Sequence, residues 1–210
     1  MRAFIVSATL LFIVACVQAE LQCEHKQADL PQSWIDMQAP CMKAVRSHVA
    51  EELKAGLQYM AMGAHFSKDL VNRPGFASLF FKAASEEREH AIKLIEYLLM
   101  RGQLISGVTD MIPYKDLTFN LTSTFTNGAS ALRAALNLEA SVTGRIRNLI
   151  QVCEGDPNFN DYHLVDYLTG DFLTEQYQGQ RDLAGKLSSL EKMMDKHGVL
   201  GEFLFDKKLA

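Results

Sequence analysis

At 210 residues, 48% of them hydrophobic, the chain can bury a sizeable core and reads as one folded domain behind an N-terminal segment. Its formal charge is −4, or −5 without a leader whose only charge is Arg2, which argues against a nucleic-acid binder: no basic stripe is present to neutralise phosphates.

The first residues, "MRAFIVSATLLFIVACVQAE", carry one early Arg, an apolar run from Ala3 to Val17 and small residues at Val17 and Ala19. That pattern predicts a secretory signal peptide, residues 1–19, cleaved after Ala19. The run is short for a membrane anchor, and nothing later supplies the roughly 18 apolar residues of a span. Residues 20–41 form an N-terminal extension and 42–210 the folded domain. With Cys16 lost in the leader, Cys23, Cys41 and Cys153 remain. An odd count in an oxidising compartment predicts one internal pair and one thiol for a partner chain.

Four long helical patterns follow, over 42–68, 74–101, 129–155 and 162–193, with no strand-like alternation. Each is on the order of 40 Å long, which suits a large bundle. "VNRPG" at 71–75 and "EGDPNFND" at 154–161 are short breaks, so each flanking pair is an antiparallel hairpin. Residues 102–128 form a longer connection, able to travel the length of a bundle and to make the second and third helices parallel. "GEFLFDKKL" after Leu200 predicts a short fifth helix. The fold class is therefore all-α: a four-helix bundle with one long crossover and a short C-terminal helix. "NLT" at Asn120–Thr122 is a glycosylation acceptor if it lies on the surface.

Every helix places a polar residue midway along its apolar face. The first stripe is Val45, Val49, Glu52, Gly56, Tyr59, Gly63 and Phe66; the second is Phe76, Phe80, Ala83, Glu87, His90, Leu94 and Leu98. The third runs Leu132, Ala135, Glu139, Val142, Ile146 and Leu149, the fourth Leu168, Phe172, Gln176, Gly179, Leu183 and Leu190. Bundle packing brings these midpoints together. Three carboxylates in one apolar centre each carry a desolvation penalty of several kcal/mol, plus mutual repulsion, and no Lys or Arg on the stripes offsets it. Either they are protonated or cations bind. Glu87 and His90, three residues apart, can reach one ion together, the Glu-x-x-His device used in di-iron bundles. Oxygen ligands with one imidazole suit iron or manganese better than structural zinc. Singly, Tyr59 reads as a packed core tyrosine and Gln176 as a satisfied core amide; the coincidence on four helices overturns that.

From about Leu30 to Leu209 the chain resembles ferritin subunits of the heavy type, most nearly those of secreted insect ferritins. The resemblance is carried by "EELKAGLQY", "SEEREHAIKL", "LNLEASV", "YLTGDFLTEQYQGQ" and "GEFLFDKK" in that order. It implies a ferroxidase centre in which Glu52, Glu87 and His90 hold a first iron. Glu87 bridges to a second iron held also by Glu139, with Gln176 nearby and Tyr59 hydrogen-bonded beside the centre. The fourth helix reads Gln176-Tyr-Gln-Gly179 where many di-iron bundles carry a second Glu-x-x-His, so the second iron is weakly held, as suits a substrate in transit. Tyr59, Glu87 and Gln176 are the expected catalytic set. The resemblance further implies oxidation of Fe²⁺ by O₂, ferric mineral inside a 24-subunit shell shared with light-type chains, and threefold channels. Asp166 occupies a channel carboxylate position, but Thr169 stands where a second acid is expected, which weakens the field drawing cations inward. Cys41 and Cys153 fall at the same bundle end, roughly 16–21 Å from the metal centre, and are expected to pair. Cys23 is then left for another chain. The competing readings are a non-catalytic light-type shell subunit and a secreted cytokine-like bundle.

Overall fold

The computed structural model describes residues 28–103, 111–155 and 159–210. The predicted leader, its cleavage point and Cys23 lie outside them. The bundle is the unit Gln32–Ala210.

Helix α1 is Ala39–Ser67, α2 Pro74–Met100 and α3 Gly128–Glu154. The fourth, α4, joins Tyr162–Tyr167, a π-helical turn Leu168–Phe172 and Leu173–His197; α5 is Val199–Leu209. The predicted all-α bundle with a crossover and a short fifth helix is what forms. Helices α1 and α2 start with a proline in their first turn, where a missing N–H costs nothing. Asn127 caps α3: its side chain accepts from Ser130 N at 2.8 Å while Ser130 Oγ accepts from Asn127 N. Gly198, at φ +57°, turns the chain sharply between α4 and α5. No described helix is long and apolar enough to cross a membrane.

Topology follows from the contacts. Helix α1 packs on α2 and α3, α3 on α4, and α5 on α2 and α4. Cys41, in the first turn of α1, is bonded to Cys153, in the last turn of α3. Those two helices therefore run antiparallel, and α2 and α3 parallel, as the long connection requires. Close packing of α1 on α2 uses Gly56, where a Cβ would stand 3.3 Å from Ala84 O and 3.5 Å from Glu87 Cβ.

Two hydrophobic clusters fill the bundle. The one at the disulfide end is mainly aliphatic, with Val45, Val49, Leu94, Leu98, Ile146 and Leu164. The other is aromatic, with Tyr59, Phe66, Phe76, Phe80 and Phe205. Between them lies a polar layer. The predicted stripes on α1 and α3 are buried throughout. On α4 the stripe departs after Gln176: Gly179 is exposed and Gln180 turns inward instead, donating from Nε2 to Thr143 Oγ1 at 2.6 Å. Gln180, four residues on from Gln176, is the position that returns to the inner face here.

Candidate metal centre

The residues in the polar layer come from all four long helices, each from mid-helix, so rigid elements fix their positions. Glu52 is fully buried, and Glu87, Glu139 and Gln176 are at most 8% exposed. Glu52, Glu87 and His90 each offer a ligand atom, and these atoms lie within 4.8 Å of one another. Glu139 is not in that group; one of its oxygens accepts a short hydrogen bond from the Tyr59 hydroxyl. It joins Glu87, His90 and Gln176 around a cavity of about 370 Å³. Gln176 Oε1 accepts from Thr143 Oγ1 at 2.8 Å, which orients the amide. All six residues singled out in the sequence thus gather in one layer, as a three-residue cluster with Glu139, Tyr59 and Gln176 beside it.

Electrostatics show what the layer lacks. Both Glu52 oxygens, Glu87 Oε2 and His90 Nδ1 are buried with no hydrogen-bond partner. Burial pushes the carboxyls of Glu52, Glu87 and Glu139 up, the last two to about 7, with repulsion among them adding to the effect. For His90, burial works against protonation, but Glu87 and Glu52 overcome it and raise the ring to about 9. Clustered carboxylate oxygens with no hydrogen bond made to them are what a cation satisfies, and a cation that displaces the His90 proton gains the ring nitrogen as well, so these side chains fit a metal ion.

His90 also has an outer partner. Its Nε2 stands 2.8 Å from Glu175 Oε2, which Lys93 Nζ approaches at 3.5 Å, leaving Nδ1 on the Glu87 side, 3.6 Å from Oε2. A carboxylate on the far ring nitrogen fixes the ring and raises its basicity toward a metal. Sequence reading missed Glu175, whose role shows only when α2 and α4 pack. It also missed His48, buried one turn before Glu52, with Nε2 2.8 Å from Glu52 Oε1; an i, i+4 His–Glu spacing was the available signal.

Four long helices with one crossover, carrying at mid-bundle a carboxylate–imidazole group that could hold a metal ion, define a bundle of the ferritin-like class. The Ferritin-like domain model matches residues 42–193. The chain is 57% identical over 198 residues to a ferritin heavy chain of Trichoplusia ni, covering 94% of this chain and 92% of that one. Against the ferritin heavy chain of Drosophila melanogaster it is 54% identical over 209 residues, covering the full length of both. The crystal structure of Trichoplusia ni secreted ferritin superimposes with a TM-score of 0.82 at 58% identity, covering 90% of this chain and 97% of that one. The chain belongs to the ferritin family.

Proposed function

We propose that this chain is a heavy-type ferritin subunit that oxidises Fe²⁺ with O₂ and delivers ferric iron for storage or transport. The observation that carries this reading is the convergence of Glu52, Glu87 and His90 within 4.8 Å, with unpartnered buried oxygens among them.

Iron is the substrate. Glu52, Glu87 and His90 Nδ1 bind a first Fe²⁺, and Glu87, shared with Glu139, binds a second, the protons that burial leaves on these groups passing to solvent as the ions enter. Each anion gains on binding because the cation offsets repulsion that burial has made costly. Gln176, its oxygen engaged by Thr143, turns its amide N–H to Glu139 and offers no charged ligand, which leaves the second ion loosely held. Tyr59 donates to Glu139 and keeps that carboxylate turned to the cavity. Two Fe²⁺ each give one electron to O₂, which takes up two protons from solvent and leaves at the peroxide level, and the carboxylates favour the more highly charged ferric product. Glu86, Glu89 and Glu175 line the same cavity and extend an acidic path away from the centre.

The subunit works in a shell of 24 with light-type partners. Val199, Leu200, Phe203 and Leu204 on α5 are exposed apolar residues that support burial against neighbouring subunits. The Cys41–Cys153 bond supports a secretory-pathway location, and Cys23 is assigned to a bond with another chain. Asp166 and Thr169 lie exposed at the start of α4; the Thr169 hydroxyl donates to Val165 O at 2.8 Å, so it lends the channel no charge.

Aerobic addition of Fe²⁺ to the assembled protein tests the reading. A rapid ferric absorbance is expected, and Glu87→Lys should abolish its fast phase, because an ammonium then occupies the ion's place. Wild-type oxidation no faster than that of Glu87→Lys would leave the light-type reading standing instead.

A further inference from the structure

His48 has no part in the reaction described above, yet it is the imidazole facing Glu52. Its side chain is 3% exposed, and the 2.8 Å between its Nε2 and Glu52 Oε1 is a hydrogen-bond distance without hydrogen-bond alignment. It touches Glu52 alone and is not among the three side chains whose ligand atoms lie within 4.8 Å of one another. Beyond it lies a second cavity, of about 210 Å³, which it shares with Ser47, Glu51 and Arg145. His48 therefore forms the wall between that cavity and the metal centre.

A buried imidazole nitrogen held 2.8 Å from a carboxylate oxygen is stable there when that nitrogen carries the hydrogen, because two facing lone pairs would repel. Alignment that is imperfect before the ion binds is expected to tighten once the ion draws the carboxylate into place.

We propose that His48 is a positioning residue for the iron site: its Nε2–H donates to Glu52 Oε1 and turns Oε2 toward the ion shared with Glu87 and His90. Without that donor Glu52 has two equivalent free oxygens and a rotamer fixed only by packing. With it, one oxygen is occupied and the other is aimed. This extends to a carboxylate ligand the outer-partner logic that Glu175 applies to His90. The proposal rests on the metal-centre reading above.

Binding of Co²⁺ to the metal-free assembled protein tests it, read by calorimetry and by the visible absorption of the bound ion. His48→Leu should weaken the tightest site by about 10-fold or more and alter the Co²⁺ band. His48→Gln, which keeps an N–H donor at similar reach, should stay within about 3-fold of wild type. Should His48→Leu fail to assemble, His48→Met makes the same comparison. Equal affinity in the leucine variant and wild type, or equal losses in the leucine and glutamine variants, overturns the proposal. Glu87→Ala separates the two readings. If it retains wild-type Co²⁺ affinity, the metal centre itself is misassigned and the proposal falls with it. If it loses affinity while His48→Leu does not, only the role of His48 falls.

Discussion

The two ends of the bundle hold the same four helices together by different means. At one end the packing is aliphatic and the closure is covalent, Cys41 to Cys153, with Arg101 tying Asp161 at 2.8 Å and Asp36 at 2.7 Å. At the other end rings stack, Phe66 on Phe76 at 5.1 Å and Phe76 near Phe205 at 5.9 Å, and α5 makes the closure without a covalent bond. The layer between them holds carboxylates whose burial opposes folding when no cation is present, so the packing on its two sides must offset that cost.

Breaking the aromatic end should have the largest effect. Phe76 is fully buried, and Phe76→Ala is expected to cost about 3–5 kcal/mol from lost burial and the cavity left behind, measured by chemical denaturation. A loss below about 1 kcal/mol would show that α5, rather than the ring stack, carries this end. Next comes the covalent end. Replacing both Cys41 and Cys153 with Ser opens a loop spanning 112 residues and should cost about 2–4 kcal/mol while leaving helix content unchanged by circular dichroism. Comparison of the two variants says which closure dominates.

The smallest effect should come from the layer itself, because its groups oppose one another. Burial raises Glu87 and Glu139 to about 7 in the fold, so their stabilising contribution is full below the unfolded carboxyl pKa near 4.5 and is lost as pH rises through about 7. His48, depressed to about 4, runs the other way: its contribution is present above 6.5 and is lost as pH falls toward 4. Thermal midpoints of metal-free wild type and Glu87→Gln across that range isolate the carboxyl. Wild type should fall relative to the variant as pH rises from about 4.5 to 7; parallel curves would remove Glu87 from the account. Added divalent cation should erase the difference in the wild type.

Much of this was legible in the sequence because the helices are long and regular. Glu52, Glu87, Glu139 and Gln176 announced themselves as polar residues at interior positions, and a 3.6-residue period sufficed to align them. Cys41 and Cys153 followed once helix directions were known. Other features had no local signal. Glu175 reaches His90 across 85 residues. The π turn at Leu168–Phe172 has no compositional mark, and beyond it the expected interior place of Gly179 passed to Gln180. His48 stood in plain view, but the neighbouring valines described the same face well enough to hide it.

Helix α5 also holds the beginnings of two other helices. Asp206 Oδ1 accepts from Phe76 N at 3.0 Å, serving an α2 whose own cap residue, Arg73, makes no side-chain cap bond. Glu202 Oε2 accepts from Gly128 N at 3.3 Å at the start of α3. Carboxylates at these N-termini satisfy free amides and complement the helix dipoles. One short helix thus serves amides 130 and 74 residues earlier in the chain. The start of α3 keeps its Asn127 cap without it, whereas the start of α2 has no side-chain cap of its own, so α2 is the helix whose first turn depends on α5.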